Sequence, residues 1–201
     1  MNLPNKITLT RILMIPFFVL LFFMEVIPFN YGIAAIVFAL AACTDFIDGH
    51  IARSRGLVTN LGKFLDPIAD KVLVSTAMIL ILTMKDSLFA NFGALAEWIY
   101  IATVVCVCII MARELIISAF RQIAAANGVI MAADKLGKFK TIFQDIAIFF
   151  FIFAGGWVNQ SSDLDSFFAT IGFALFAVAT VLTVWSGISY VVKNKKVLKD
   201  S

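Results

Sequence analysis

Residues 45–70 read DFIDGHIARSRGLVTNLGKFLDPIAD, and this stretch places four aspartates next to segments that are otherwise strongly apolar. The whole chain has 201 residues, of which 62% are hydrophobic and only 14% are charged. A soluble domain is usually about half apolar. The composition therefore predicts an integral membrane protein, in which a group of four carboxylates needs a specific explanation.

Apolar segments long enough to cross a bilayer recur along the chain. A helix needs about 20 apolar residues to span about 30 Å of hydrocarbon. Six segments approach this length, at residues 12–29, 31–51, 66–84, 95–119, 139–157 and 167–192. The sequence therefore predicts an all-α protein with six transmembrane helices, folded as a single domain over residues 1–201.

The basic residues predict the orientation of these spans. If the N-terminus lies in the cytoplasm, every lysine and arginine except Lys85 falls at or near the cytoplasmic side. Cytoplasmic segments of membrane proteins carry such an excess of basic residues. Both termini are therefore expected inside. The net charge of +3 then faces anionic lipids or anionic substrates.

The four aspartates fall into two pairs. Asp45 and Asp48 are three residues apart on the second predicted span, and Asp66 and Asp70 are four apart at the start of the third. Both spacings place two side chains on one face of a helix. We expect Asp66 to cap the third helix, because Pro67 suits a first helical position. A short cytoplasmic loop between antiparallel spans would bring the pairs together.

Four carboxylates at the edge of a bilayer repel one another unless cations neutralise them. Carboxylate oxygens are the ligands that Mg²⁺, Mn²⁺ and Ca²⁺ prefer. Two divalent ions would balance the four charges, and paired metals assist phosphoryl displacement. In the alternative interpretation these aspartates serve helix packing or salt bridges. Arg53 and Lys71 could then pair with two of them, which leaves the other two unpaired.

Two small residues follow the first aspartate pair. Gly49 lies inside a predicted helix, where glycine costs about 1 kcal/mol relative to alanine. A ligand pressed against the backbone would explain it, and Ala52 keeps the same face open one turn later. This combination favours a flat group, such as a base or a ribose, beside the metals.

The spacing of these residues resembles the signature of the CDP-alcohol phosphotransferase family, and the resemblance covers essentially the whole chain. The matching pattern is Asp45-x2-Asp48-Gly49-x2-Ala52-Arg53-x8-Gly62-x3-Asp66-x3-Asp70. The resemblance implies a CDP-activated lipid, two divalent cations (Mg²⁺ or Mn²⁺) and a small alcohol as acceptor. It also implies a homodimeric six-helix fold in the cell membrane, with the active site facing the cytoplasm.

Three further stretches resemble bacterial family members that transfer a phosphatidyl group from CDP-diacylglycerol to sn-glycerol 3-phosphate. They read NLPNKITLTRILMIP at residues 2–16, ARELIISAFRQ at 112–122 and KLGKFKTIFQ at 135–144. By this resemblance the metal ligands are Asp45, Asp48, Asp66 and Asp70, and Asp70 is also the catalytic base. The implied CDP-diacylglycerol site consists of Asn5, Thr8, Arg11, Asp48, Gly49, Ala52, Arg53 and Gly62. No nucleic-acid partner is expected.

The residues themselves also indicate an anionic acceptor. Arg113 lies eight residues before Arg121 on the fourth predicted span, which places it about 12 Å deeper in the membrane. An arginine at that depth needs an anion, a carboxylate partner or a wet cavity. We therefore predict that Arg113, Arg121, Lys135 and Lys138 bind the phosphate of glycerol 3-phosphate. The alternative is that Arg113 pairs with a motif aspartate.

The other polar residues of the fourth and fifth spans have separate predicted roles. Lys140 is interpreted as a positive-inside anchor rather than a ligand-binding residue. Glu114 is expected to orient one of the basic side chains. Gln144 and Asp145 lie about two turns into the fifth span, where they could contact the acceptor or hydrogen-bond another helix.

Rival functions fit the sequence less completely. A related enzyme could use phosphatidylglycerol, inositol phosphate or serine as acceptor, but the basic cluster argues against neutral acceptors. A membrane prenyltransferase also binds Mg²⁺ through DxxD motifs, yet it leaves Gly49, Ala52, Arg53 and Gly62 unexplained. A divalent-cation transporter would need acidic residues along a path through the bilayer, whereas these acidic residues cluster at one side.

Overall fold

The computed structural model describes residues 3–54, 59–126, 135–156 and 162–194, and the regular elements in these ranges are all helical. The α-helices are α1 (Leu3–Phe23), α2 (Asn30–Ser54), α3 (Asn60–Thr83), α4 (Ala96–Ala126), α5 (Lys135–Gly155) and α6 (Ser162–Lys193). A π-helical turn (Lys85–Phe89) and a 3-10 helix (Ala90–Leu95) connect α3 to α4. The expected all-α class is confirmed for the part of the chain that the structure describes.

Helix α1 ends earlier than its hydropathy indicates. The apolar run continues to Phe29, but the helix stops at Phe23 and a turn follows in which Phe29 has φ 64°. Asn30 then begins α2 and donates from Nδ2 to the carbonyl of Phe22 at 2.8 Å. Carbonyls in the last turn of a helix have no partner within that helix. Asn30 therefore stabilises the end of α1, which hydropathy alone does not reveal.

The start of α3 also differs from the prediction. The cap is Thr59, whose Oγ1 accepts a hydrogen bond from the Gly62 N–H at 3.0 Å. Asp66 is therefore not the cap, and Pro67 lies inside the helix. The prediction was wrong because it took Pro67 as the first helical position, where proline is common. Thr59 instead caps the helix further upstream, so that α3 begins earlier. Pro67 removes one backbone hydrogen bond from α3.

The helices pack around one apolar core. Helix α5 lies against α6 and α2, α1 lies against α2 and α3, and α4 lies against α6. Helix α3 contacts α1, α2, α4 and α5, so the carboxylates it carries are close to most of the bundle. The core contains the fully buried side chains of Phe18, Phe38, Met78, Phe151 and Phe176.

The outer surface of the bundle is apolar. Leu13, Trp98 and Val181 are 65%, 71% and 66% exposed, and exposed apolar surface of this extent marks a lipid or protein contact. The segments Asn5–Phe23, Phe92–Ala124 and Asp163–Lys193 are long and apolar enough to cross a membrane. We conclude that the protein is embedded in a membrane. That α2, α3 and α5 also span it stays a prediction, because among the described residues they lack an apolar run of that length, and the run in α2 covers only Asn30–Thr44.

Candidate active site

One face of α1 meets the carboxylate motif. Asn5, Thr8 and Arg11 are spaced three residues apart and therefore share a face, and all three are buried. Thr8 donates from Oγ1 to Oδ1 of Asp66 at 2.7 Å. Arg11 donates from Nε to Oγ1 of Thr44 at 3.1 Å, one residue before the motif begins. The structure therefore places this face of α1 against Asp66, a predicted metal ligand, and next to the start of the motif on α2.

The first turn of α3 approaches α1 closely at Gly62. Thr59 donates from Oγ1 to Oδ1 of Asn5 at 3.0 Å. A Cβ atom on Gly62 would lie 2.9 Å from the same Asn5 oxygen and 3.3 Å from Thr59 Oγ1. Glycine is thus required for this approach. Gly62 fixes the position of Asn5, in addition to the predicted contact with the CDP-lipid.

The motif carboxylates lie on two helices. Asp66 and Asp70 are one turn apart on α3, and Asp66 accepts the hydrogen bond from Thr8. The last turns of α2 contain Asp45, Asp48, Gly49, Ala52 and Arg53. The side chains of these α2 residues lie outside the described part of the structure. Among the side chains that are described, no three His, Cys, Asp or Glu residues form a metal-binding group.

A cavity of about 100 Å³ opens between α3, α4 and α5. Its polar lining includes Asp70, Lys71, Ser75, Glu114, Lys140 and Gln144. The cavity therefore joins the predicted catalytic carboxylate to two ammonium groups. Such a site can hold an anion and can accept a proton from a bound hydroxyl.

Lys140 belongs to this cavity and is not a surface anchor, so that interpretation was wrong. It is only 5% exposed, and its ammonium forms an ion pair with Oε1 of Glu114. Arg113 Nη1 lies 3.2 Å from the same oxygen. The expectation that Glu114 orients a basic side chain is confirmed, and Glu114 in fact contacts two. The available signal was the polar pair Lys140 and Gln144, which lie one turn apart on α5.

Lys71 is a second cavity residue that the sequence did not assign to the acceptor. Its ammonium contacts the hydroxyl of Ser118 on α4, and Ser118 donates to the carbonyl of Glu114 at 2.5 Å. These contacts connect α3 to α4 immediately after Asp70. Sequence reasoning considered Lys71 only as a partner for a motif aspartate.

Side chains of α6 contact Arg113 and Arg121 of α4, two of the predicted acceptor-binding residues. Arg113 donates from Nη2 to Oγ of Ser186 at 2.9 Å. A Cβ atom on Gly187 would lie 3.1 Å from Arg113 Cγ, so this glycine leaves room for the arginine stem. The Nε of Arg113 is buried and has no hydrogen-bond partner among the described residues. The guanidinium is therefore fixed at two nitrogens, while its Nε lies next to Gly187 of α6.

The other predicted acceptor residues lie further out. Arg121 donates from Nε to the Tyr190 hydroxyl at 3.2 Å, and its guanidinium carbon lies 5.2 Å from the centre of that ring. This geometry allows a cation–π interaction. Lys138 is exposed near the start of α5, and the side chain of Lys135 lies outside the described part of the structure. No motif in the sequence points to Ser186, Gly187 or Tyr190.

The basic side chains act on one another across the cavity. Lys140 is close enough to Lys71 and Arg113 for electrostatic interaction, and also to Asp70 and Asp145. Arg121 acts in the same way on Lys71 and Arg113. Like charges held together in a partly buried site destabilise it unless an anion shares them. The arrangement is therefore suited to a phosphate group.

The chain is similar to known proteins over most or all of its length. The family model for CDP-alcohol phosphatidyltransferase matches residues 1–185. A protein of Bacillus subtilis (strain 168) named CDP-diacylglycerol--glycerol-3-phosphate 3-phosphatidyltransferase is 39% identical over 212 residues, covering 100% of this chain and 98% of the relative. Proteins of the same name from Shigella flexneri serotype 5b (strain 8401) and Escherichia coli (strain K12) are each 38% identical over 202 residues. These alignments cover 99% of this chain and 98% of each relative.

Proposed function

The chain belongs to the CDP-alcohol phosphatidyltransferase family, and from that premise we propose that it transfers the phosphatidyl group of CDP-diacylglycerol to sn-glycerol 3-phosphate. The products are phosphatidylglycerophosphate and CMP. The names of the full-length relatives support both substrates. The structural observation that carries the proposal is the cavity in which Asp70 faces the ammonium groups of Lys71 and Lys140.

Asp45, Asp48, Asp66 and Asp70 would hold two divalent cations, Mg²⁺ or Mn²⁺. A donor set made only of carboxylate oxygens fits such hard cations. When bound, these ions neutralise charge that develops on the diphosphate as CMP leaves. Thr8 supports this assignment, because its hydrogen bond fixes one carboxylate oxygen of Asp66 and orients the carboxylate.

The CDP-diacylglycerol site lies where α1 meets α2 and α3. Asn5, Thr8 and Arg11 supply polar groups from α1. By the family motif, Asp48, Gly49, Ala52 and Arg53 of α2 would bind the same ligand, and the two small residues would leave room for the nucleotide. Gly62 completes the site by allowing Asn5 to lie against α3.

The acceptor site is the cavity beside Asp70. Arg113, which contacts Glu114 of the cavity lining, would bind the phosphate of glycerol 3-phosphate through a guanidinium that Glu114 and Ser186 hold in place. Lys140 and Lys71 add positive charge inside the cavity, and Arg121 adds it towards the end of α4. Lys135 and Lys138, at the start of α5, would guide the anion inwards rather than hold it, because Lys138 is exposed.

The reaction is a direct displacement at phosphorus. Asp70 accepts the proton of the terminal glycerol hydroxyl. The hydroxyl oxygen then forms a bond to the phosphorus that carries diacylglycerol, and the bond from that phosphorus to CMP breaks. The basic residues fix the acceptor phosphate, so that the hydroxyl is held at attacking distance.

The proposed setting is the cell membrane, crossed six times, with both termini and the site on the cytoplasmic side and with two copies forming a homodimer. Positive charge on every predicted inner segment supports the orientation. Asp86→Cys should react with a membrane-impermeant maleimide on intact cells, and Lys138→Cys only after lysis, in a background without the natural cysteines. The reverse labelling would overturn the orientation, and a monomeric mass in native mass spectrometry would overturn the homodimer.

The function is tested with purified protein and CDP-diacylglycerol. Glycerol 3-phosphate, inositol phosphate, serine and phosphatidylglycerol are supplied in turn, and CMP release and the lipid product are measured. We expect rapid transfer to glycerol 3-phosphate alone, and complete loss in excess EDTA. Transfer only to another acceptor would indicate a different family activity. Use of a prenyl diphosphate in place of the CDP-lipid would indicate a prenyltransferase, and full activity in EDTA would exclude the two-metal site.

A further inference from the structure

Gln144 lies on α5 one turn after Lys140 and lines the same cavity. It is only 3% exposed. Its Nε2 lies 3.8 Å from Sδ of Met78, a weak acceptor. Its Oε1 is buried and has no hydrogen-bond partner among the described residues. The amide is therefore poorly satisfied by the protein itself.

A buried carbonyl oxygen without a donor destabilises the folded protein, and native structures contain few of them. An apolar side chain of similar length would fill the same space without this cost. A ligand that brings a donor to Oε1 would explain the glutamine. Because Gln144 lines the cavity, a ligand bound there would lie next to this side chain.

The polar groups of glycerol 3-phosphate indicate which of them can donate a hydrogen bond to Oε1 of Gln144. A phosphate oxygen and a carbonyl oxygen are both acceptors, so the phosphate belongs with the basic residues. The reacting hydroxyl belongs with Asp70. Glu114 is occupied by Arg113 and Lys140, and Thr141 donates its hydroxyl to the carbonyl of Gly137 at 3.0 Å. The remaining polar group of glycerol 3-phosphate is its middle hydroxyl, which needs an acceptor.

We propose that Oε1 of Gln144 accepts a hydrogen bond from the middle, non-reacting hydroxyl of the acceptor alcohol. Gln144 then distinguishes glycerol 3-phosphate from alcohol phosphates that lack this hydroxyl. The inference rests on the proposed function, because it assigns one more group of the same acceptor. Gln144 is then an uncharged residue, next to charged ones, that determines which acceptor alcohol is used.

The test compares two acceptors on two proteins. Glycerol 3-phosphate carries the middle hydroxyl, and 3-hydroxypropyl phosphate lacks it but keeps the phosphate and the reacting hydroxyl. The wild type should prefer glycerol 3-phosphate by about 10- to 100-fold in kcat/KM, since the analogue leaves the buried amide unpaired. In Gln144→Met the preference should fall to within about threefold, because the variant has no amide oxygen with which to recognise the middle hydroxyl. Gln144→Leu provides a second variant if the first does not fold.

The matched control is Thr141→Val, which changes a hydroxyl in the same cavity that is already bonded within α5. The preference of Thr141→Val for glycerol 3-phosphate over 3-hydroxypropyl phosphate should equal that of the wild type. The inference is overturned if Gln144→Met and Gln144→Leu keep the wild-type preference, or if the wild type has none. A rise in KM that is equal for both acceptors would assign Gln144 to the phosphate instead. If the wild type transfers to neither acceptor, the proposed function fails and the inference fails with it.

Discussion

At the end of the bundle where α3 and α5 begin, buried side chains are polar and meet through hydrogen bonds, whereas at the opposite end aromatic rings meet edge to face. The polar end holds Thr8 against Asp66 at 2.7 Å. At the aromatic end, the rings of Phe22 and Tyr31 lie 4.8 Å apart at 73°. A hydrogen bond is lost when one atom is removed, whereas the stabilisation by a packed aromatic ring is distributed over many contacts. We therefore expect changes at the polar end to reduce activity, and changes at the aromatic end to reduce stability.

The largest effect is expected from Asp70→Asn at the polar end. Loss of the base should lower kcat by about 10²- to 10⁴-fold, while the helix content stays unchanged. Turnover and circular dichroism of the purified variant measure the two quantities. Asp163→Asn is the matched control, because Asp163 is exposed in the first turn of α6 at the other end. Retention of more than about a tenth of the activity would remove Asp70 from the role of base.

Phe151→Ala tests the aromatic end. Phe151 is fully buried, with its ring 5.7 Å from that of Phe176. The free energy of unfolding should fall by about 3 kcal/mol, the lower end of the range for truncating a core phenylalanine. The lower end applies because lipid is as apolar as the protein core. Thermal unfolding in detergent measures it, and kcat/KM of the folded fraction should stay near the wild-type value.

Phe167→Ala provides the comparison, since Phe167 is 58% exposed on α6. It should unfold almost as the wild type does. If both phenylalanine variants lost stability equally, burial would not explain the role of the aromatic end.

Arg113→Ala should have a smaller effect on turnover than Asp70→Asn. Hydrogen bonds to charged groups contribute about 1.5–3 kcal/mol, so kcat/KM for glycerol 3-phosphate should fall about 10- to 100-fold. Binding of CDP-diacylglycerol should change much less. Ser186→Ala, which removes only the hydrogen bond of 2.9 Å to Arg113, should raise the acceptor KM severalfold. Loss of CDP-lipid binding with an unchanged acceptor KM would place Arg113 in the donor site.

The smallest effect is expected at Lys85, a polar contact far from the site. Its Nζ lies 3.0 Å from Oε2 of Glu97, and this hydrogen bond raises the pKa of Lys85. The contribution is therefore present at neutral pH and is lost only as the pH rises through that raised pKa. An exposed ion pair contributes little, so Lys85→Ala should change neither kcat nor Tm measurably at neutral pH. A clear loss of activity would show that polar contacts matter at both ends.

The features predictable from sequence are those encoded along single helices. Each apolar segment found by hydropathy overlaps one of the α-helices in the described part of the chain, and the spacing of Asp66 and Asp70 placed both on one helix. The spacing of Asn5, Thr8 and Arg11 gave one face of α1, and the structure places that face against the motif.

Contacts between distant helices could not be predicted in the same way. Arg113 and Ser186 are 73 residues apart, and nothing in the local sequence around Ser186 marks it as a partner. The burial of Lys140 also depends on the packing of α3 and α4 against α5. The sequence misplaced the C-terminal end of α1 and the start of α3. Hydropathy averages over many residues and a proline is a general signal, whereas Asn30 and Thr59 determine these ends through single hydrogen bonds.

The attachment of Arg113 and Arg121 to α6 has a consequence for engineering the acceptor preference. A chimera that exchanged only α4 and α5 between relatives would separate the arginines from Ser186 and Tyr190, and would place unfamiliar side chains beside Gly187. The acceptor pocket therefore depends on four helices together, α3 to α6. Libraries aimed at new acceptor alcohols should diversify α6 together with the cavity, even though no α6 side chain carries the chemistry.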